Sequence, residues 1–201
     1  MNSKFFTSRN LTFLAILTAL LVVLNLLSTV FKVITNVNLT LIPIVLGALL
    51  LGARGGFILG GISGLMTFIF GVLAVDPFTN ILFTNSPILT FLTCVVKITV
   101  AGGVAGLVYD ILKTKNKYLA VLVCSALVPI INTGLFIVGA LAMYDVIASN
   151  FSQDVLYFLI ITCAGVNFLI ELAINLVVAP AIHTVVKVLD KMAGEIGRAH
   201  V

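Results

Sequence analysis

The stretch LTFLAILTALLVVLNLLSTV, residues 11–30, contains no charged side chain. An α-helix needs about 20 consecutive, mostly apolar residues to cross the hydrocarbon core of a bilayer. The rest of the chain has the same character, since 61% of its 201 residues are hydrophobic and only 9% are charged. So little polar surface excludes a soluble domain and indicates a membrane protein.

The apolar runs are long and continuous, which favours helices over the alternating strands of a membrane barrel. We therefore predict an all-α integral membrane protein, a single domain of residues 1–192 built as a bundle of six transmembrane helices. The predicted spans are residues 11–30, 39–51, 55–72, 87–112, 118–141 and 155–185. The loops on the side opposite the termini are expected at residues 31–38, 76–85 and 144–154.

Basic residues are divided unequally between the two sides of this predicted bundle. The side of the termini carries Lys4, Arg9, Arg54, Lys113, Lys115, Lys117, Lys187 and Lys191. The opposite side carries Lys32, together with Asp76, Asp145 and Asp154. Because cytoplasmic loops are enriched in Lys and Arg, we expect both termini in the cytoplasm and the acidic loops outside.

The last residues of the chain have a different origin in our interpretation. The segment EIGRAHV, residues 195–201, is what a common sequencing-adapter oligonucleotide encodes in one reading frame. We therefore interpret residues 193–201 as a non-native tail and draw no functional conclusion from its side chains.

Glycines recur at every fourth position from the residues just before the third predicted span into the span itself. They are Gly52, Gly56, Gly60 and Gly64, and the fourth span repeats the spacing with Gly102 and Gly106. Small residues at this spacing let two helix backbones approach closely in lipid. We predict that these glycines mark helix contacts.

Lys97 lies inside the fourth apolar span, about ten residues past Pro87 and so roughly 15 Å along the helix axis. A lysine at the centre of a bilayer costs about 2.5–3.5 kcal/mol on insertion scales, so it must face the bundle interior or a water-filled cavity. Two roles remain open. Lys97 pairs with Glu171, the carboxylate well inside the sixth span, or it binds an anionic solute that enters from outside.

Amide side chains accompany these charges. Asn167, Glu171 and Asn175 recur every four residues and form one stripe on the sixth helix. Asn132 follows Pro129, so it either satisfies a carbonyl that the proline frees or contacts a ligand. Asn80 and Asn85 lie in an expected outer loop, where they act as turn residues unless that loop covers a pocket. The candidate substrate-binding residues are Lys97, Asn132, Asn80, Asn85, Asn167 and Glu171.

The sequence motifs give little support for an enzymatic function. The segment GISG with Ser63 resembles the nucleophile motif of rhomboid proteases, and His183 is the available base, but Ser63 lies in the third span and no oxyanion site is visible. The chain has no phosphate loop, dinucleotide fingerprint or metal-ligand spacing. The three cysteines, Cys94, Cys124 and Cys163, fit no metal motif. We expect a protein that is not an enzyme, without catalytic residues, cofactor, metal or nucleic acid; the absence of Trp and the 4 Tyr also disfavour a broad planar cofactor.

The layout resembles the substrate-binding S component of energy-coupling factor (ECF) transporters. Ala15 and Ala19 match the A-x-x-x-A signature of that family in the first span. The segments VDPFTNILFTNSP, residues 75–87, and CVVKITVAGGVAGLVYD, residues 94–110, are most similar to the pantothenate-type members.

This resemblance implies a mechanism. The S component would capture a small anionic vitamin, here best matched by pantothenate, on the outer face of a bacterial plasma membrane. Residues 31–38 would form a lid, and Ala15 and Ala19 would pack on the T subunit, which two ATPases drive. Folate and pyridoxine remain open as substrates, and a stand-alone secondary carrier or channel remains open as a function.

Overall fold

A computed structural model describes residues 7–31, 37–151 and 154–199, and these residues form helices joined by short turns. The elements are α1 Ser8–Phe31, α2 Leu41–Val72, α3 Pro77–Asn85, α4 Pro87–Leu112, α5 Lys117–Leu141, α6 Tyr144–Asn150, α7 Val155–Tyr157, a π-helical segment Phe158–Gly165 and α8 Val166–Ala199. Five stretches are long and apolar enough to cross a membrane: Ser8–Ser28, Leu41–Val72, Pro87–Leu112, Lys117–Leu141 and Val155–Leu189. The chain is therefore an all-helical, multi-pass membrane protein.

Helix α2 reverses its direction at Gly52. This glycine has φ 70° and ψ −167°, a left-handed conformation that side chains rarely adopt. The hydroxyl oxygens of Thr40 and Ser63 lie 2.9 Å apart, whereas 23 residues of unbroken helix would separate them by about 34 Å. Residues 41–51 and 53–72 therefore pack against each other as two antiparallel halves, which correspond to the predicted second and third spans.

Two segments that we expected to be loops contain helices instead. Asp76, Pro77 and the asparagines indicated a turn, but proline is also favoured in the first turn of a helix, and here α3 begins at Pro77. The Thr79 hydroxyl donates to Asp76 Oδ2 at 3.0 Å and fixes this beginning. The second segment, residues 144–154, contains α6. At the other end of the chain, α8 continues to Ala199, into the tail whose non-native origin stays a prediction.

The predicted glycine contacts are confirmed between α2 and α4. A Cβ added to Gly56 would collide with the Gly102 carbonyl, and one added to Gly64 would lie 2.7 Å from the Cys94 carbonyl oxygen. Only residues without a Cβ permit such backbone contact. This pair of helices thereby supports the central part of the bundle, including the α4 segment that carries Lys97.

Substituting Gly60 with Ala is expected to destabilise the bundle by about 1–3 kcal/mol, the usual cost of overpacking a tight contact. The new Cβ would lie 2.5 Å from the Ile98 carbonyl oxygen and 2.8 Å from the Thr99 Cα, and backbone atoms cannot move aside cheaply. Gly134→Ala is the matched control, since a Cβ at Gly134 has nothing within 4 Å. Unfolding midpoints in one detergent compare the variants, and equal midpoints would contradict the packing role.

The described hydrophobic residues form two separate clusters. The larger cluster joins α1, α2, α4, α5 and α8 and includes Leu21, Ile44 and Val121. The smaller cluster joins α3, α5, α6 and the π-helical segment, and Met143, Ile147 and Leu159 lie at its centre. Four phenylalanines that pack on the smaller cluster also line the cavity described next.

Candidate ligand-binding cavity

A cavity of about 590 Å³ opens between the long helices. All the membrane-spanning elements contribute to its wall, together with α3 and the segment at residues 37–38. Pockets for small molecules usually measure about 300–1,000 Å³ and combine apolar walls with a few polar groups. The size and composition of this cavity therefore suit a small organic solute.

Lys97 lines the cavity, and its ammonium group has an aromatic neighbour. Lys97 Nζ lies 4.8 Å from the centroid of the Phe136 ring, within the range of a cation–π contact. Among the residues that the structure describes, no carboxylate oxygen lies within 4.0 Å of this Nζ. The cation is thus available to an anionic group inside the cavity.

Glu171 lines the same cavity but has a different partner. Its side chain is only 6% exposed, and Oε1 accepts a hydrogen bond of 2.9 Å from the backbone N–H of Asn38. Glu171 therefore holds the chain that enters α2. The direct ion pair with Lys97, one of the two roles left open by the sequence, is not formed at this geometry.

A network of hydrogen bonds anchors residues 38–40 to three helices. The N–H of Leu39 donates to Ser28 Oγ of α1 at 3.1 Å. The Thr40 hydroxyl donates to Asn38 Oδ1 and also contacts Ser63 Oγ of α2. Asn38 is the last residue of the predicted lid, so this network fixes the end of that segment against the cavity. Residues 32–36 of the predicted lid lie outside the described residues.

The amides of α5 and of the last helix occupy distinct positions. Asn132 and Asn167 line the cavity, whereas Asn175 is buried below Glu171 and donates to its carbonyl at 2.8 Å. Asn167 Nδ2 donates to the Cys163 carbonyl at 2.9 Å. Asn132 Oδ1 is buried, and no described residue donates to it. Asn132 therefore has an unpaired hydrogen-bond acceptor, whereas the ammonium group of Lys97 has hydrogen-bond donors.

Asn80 and Asn85 are not among the residues that line the cavity. Asn80 Nδ2 donates to the Gly71 carbonyl at 2.8 Å and joins α3 to the end of α2. Asn85 Nδ2 donates to the Ile81 carbonyl of its own helix at 2.8 Å. The structure thus brings together Lys97, Asn132, Asn167 and Glu171 and leaves the two α3 asparagines outside.

Some lining residues were missed by the sequence reasoning. Asn25 and Ser28 are buried polar residues of α1 that face the cavity. The rule that identified Asn132, a polar side chain within an apolar span, would have identified both. Asp76 was assigned to a loop but also lines the cavity. The phenylalanines on the wall carry no such signal: Phe70, Phe78, Phe136, Phe151, Phe158 and Phe168.

The residues of the protease alternative have other partners. Ser63 is buried and contacts the Thr40 hydroxyl, and the His183 ring packs edge-to-face on Tyr118 with centroids 5.3 Å apart. Among the described residues, no three His, Cys, Asp or Glu side chains could hold a metal ion together. Neither Ser63 nor His183 is among the residues that line the cavity.

Ala15 and Ala19 lie on an exposed face of α1, well away from the cavity lining. Large apolar residues of the same helix are also exposed, among them Ile16 at 58% and Val23 at 52%. This surface is open to lipid or to another subunit.

Comparison with known proteins assigns a family. The model of the substrate-specific component of ECF transporters matches residues 9–183, which include every residue of the cavity. No curated protein and no solved structure gives a significant match to the chain.

Proposed function

Because the chain belongs to the family of ECF transporter substrate-specific components, we propose that it binds a small anionic vitamin in the cavity around Lys97. The family consists of transporter subunits that bind a substrate, and it is not an enzyme family. The bound vitamin passes inward when the chain assembles with its partner subunits.

The observation that carries this proposal is the free ammonium of Lys97. Lys97 is half-buried in an apolar span and has no carboxylate of the described residues within 4.0 Å, so an anionic ligand in the cavity would offset part of its insertion cost. Among the described residues, the Phe136 ring centroid lies 4.8 Å from Lys97 Nζ and no carboxylate oxygen lies within 4.0 Å of it. Asp76 and Glu171 also line the cavity, but neither lies within ion-pair distance of Lys97, so a ligand carboxylate would supply the direct partner that this ammonium group does not have among the described residues.

Pantothenate is the substrate that we propose first. It has one carboxylate for Lys97, and an amide and hydroxyls that can donate to Asn132 Oδ1 and exchange hydrogen bonds with Asn167. Its apolar carbons face the phenylalanines of the wall. Asn80 and Asn85 have no part in this arrangement, because the Asn80 amide donates to the Gly71 carbonyl of α2 and the Asn85 amide donates to the Ile81 carbonyl of α3.

For the membrane arrangement we propose six spans with both termini in the cytoplasm. The distribution of basic residues supports this orientation, and the reversal at Gly52 supports counting α2 as two passes. The segment at residues 31–38 acts as the lid. The T subunit packs on Ala15 and Ala19, two ATPases drive it, and the assembly works in a bacterial plasma membrane.

Protection of Cys163 tests the binding site directly. Cys163 is partly exposed and lines the cavity, whereas Cys94 and Cys124 are buried. With the protein in lipid nanodiscs, we expect pantothenate to slow maleimide labelling of Cys163 in proportion to the fraction of protein occupied. Mass spectrometry of labelled peptides follows the reaction.

Two variants complete the labelling experiment. Cys163→Ala should abolish labelling, which assigns the signal, and Lys97→Met should keep labelling but lose its protection. Small molecules that co-purify with the protein are identified by mass spectrometry and tested in the same way. If neither pantothenate nor any co-purified acid protects Cys163, the cavity is not the vitamin site.

A further inference from the structure

Four of the phenylalanines that line the cavity cluster at one end, here called the aromatic end, and Asn132 and Asn167 lie toward the other, here called the polar end. Phe168 beside Asn167 and Asp76 near Phe78 also line the cavity. Along α5, Asn132 and Phe136 are four residues apart and so lie on one face, one helical turn from each other. Along the last helix, Phe158 and Asn167 both line the cavity, roughly 13 Å apart along the axis. Each helix thus carries a phenylalanine and an amide that line the cavity at different positions along the helix axis.

On both helices, the change from amide to phenylalanine runs toward the same end of the cavity. Tyr118, near the start of α5, contacts His183, which lies toward the end of the last apolar span, Val155–Leu189, so the two helices run antiparallel. Asn132 precedes Phe136 along α5, and Asn167 follows Phe158 along the last helix. Antiparallel packing therefore places Asn132 and Asn167 toward one end of the cavity and Phe136 and Phe158 toward the other.

At the aromatic end, four phenylalanines form a continuous surface, here called the phenylalanine wall: Phe78, Phe136, Phe151 and Phe158. The Phe78 ring lies 5.7 to 6.0 Å from the other three centroids. Phe151 and Phe158 are stacked with centroids 4.4 Å apart. Three separate segments and α5 supply these rings, so the fold itself assembles an apolar surface next to the cation.

Lys97 lies at the boundary between the two ends. Its Nζ contacts Phe136, the member of the wall that is nearest the polar end along α5. A carboxylate that binds Lys97 from the polar end therefore has the phenylalanine wall beside its first carbon atoms. Hydroxyl groups or a second charge on those carbons would lose water without gaining hydrogen bonds there, which is costly.

We propose that the cavity selects amphipathic monocarboxylates, with the carboxylate at Lys97 and a hydrocarbon segment along the phenylalanine wall. This inference rests on the proposed function and specifies its substrate class. Sugar acids and dicarboxylates are excluded from the class. Pantothenate falls within it, because it has a single carboxylate, and two methylenes follow that carboxylate before the amide.

The test uses straight-chain acids from propanoate to heptanoate as probes, measured by equilibrium dialysis against protein in nanodiscs, with empty nanodiscs subtracted. Each added methylene should tighten binding to the wild type by about fourfold, the value for burying one CH₂. Phe78→Ala should flatten this dependence on chain length. Lys97→Met should weaken all the acids by one common factor and leave the slope unchanged.

Phe68→Ala is the matched control for the loss of an aromatic ring. Phe68 packs on Phe83 and Phe91 with centroids 5.6 and 5.2 Å apart, and none of these three lines the cavity. This variant should keep the wild-type slope. Circular dichroism of both phenylalanine variants establishes that each is folded before its slope is compared.

The outcomes separate the inference from the proposed function. If the acids bind in a Lys97-dependent way but their affinity does not rise with chain length, the inference fails and the proposed function stands. A slope that Phe68→Ala lowers as much as Phe78→Ala also overturns the inference. If no straight-chain acid binds while pantothenate still protects Cys163, the inference alone fails. If Lys97→Met changes neither the binding of the acids nor the protection by pantothenate, both fail.

Discussion

Replacing Lys97 with Met should weaken pantothenate binding by at least about 2 kcal/mol, the usual scale for losing one member of a buried charged pair. This corresponds to roughly a thirtyfold higher dissociation constant. Methionine keeps the apolar stem that lies along the cavity and removes the ammonium group. Isothermal titration calorimetry in nanodiscs measures both proteins.

Two comparisons show whether the lost affinity belongs to the charge. A neutral alcohol analogue of pantothenate should lose much less affinity on the same substitution, because it has no carboxylate. Lys97→Arg should not restore full binding, since the guanidinium is larger and planar. Equal weakening of acid and alcohol, or of neither, would mean that Lys97 is not a carboxylate receptor.

Lys113→Met is the matched control on the same helix. Lys113 lies at the end of α4, exposed, and forms an ion pair with Asp110 at 2.5 Å. Removal of this charge changes the net charge of the protein as much as Lys97→Met does. We expect its pantothenate affinity to equal that of the wild type.

The structural alternative for Lys97 is tested through Glu171. The Glu171 carboxylate accepts from Asn38 and is not within ion-pair distance of Lys97, so Lys97→Met should leave the protein folded. If Lys97→Met unfolds the protein and the additional change Glu171→Gln restores it, the lysine serves a structural pair. The anion hypothesis would then be wrong.

The membrane architecture was predictable from the sequence because the bilayer imposes simple rules. A span needs length and apolar character, and the run at residues 11–30 has both. A charged or amide side chain inside such a run must turn inward, and Lys97, Asn132, Asn167 and Glu171 all do so. The glycine spacing predicted the α2–α4 contact for the same reason, since close backbone approach requires small residues.

The part of the cavity around α3 was less predictable, because its residues obey no single periodic rule. Asp76, Pro77 and Asn80 have the composition of a turn, yet they begin a helix whose amides bond to backbone carbonyls. Phenylalanine is common in lipid-facing and buried positions alike, so its presence does not reveal a binding wall. The prediction from scarce Trp and Tyr overlooked that Phe, with 14 copies, can line a cavity by itself.

The last expected result concerns the surface of α1. Ala15→Trp together with Ala19→Trp should leave pantothenate binding intact and abolish ATP-driven uptake by the complex reconstituted with the T subunit and two ATPases in liposomes. Both alanines are exposed, four residues apart on one face, and outside the cavity lining. Two indoles on that face prevent the close helix approach that small residues allow.

The control places the same two side chains on a neighbouring face. Ile16 and Leu20 are 58% and 37% exposed, have the same spacing and are already large, so Ile16→Trp with Leu20→Trp should retain uptake. If the alanine variant transports normally, that face meets only lipid. If both variants lose uptake equally, bulk anywhere on α1 is harmful and the alanines are not the contact. Loss of uptake in the alanine variant alone, with binding unchanged, assigns the surface to the T subunit, because a defect in folding or in the cavity would weaken binding as well.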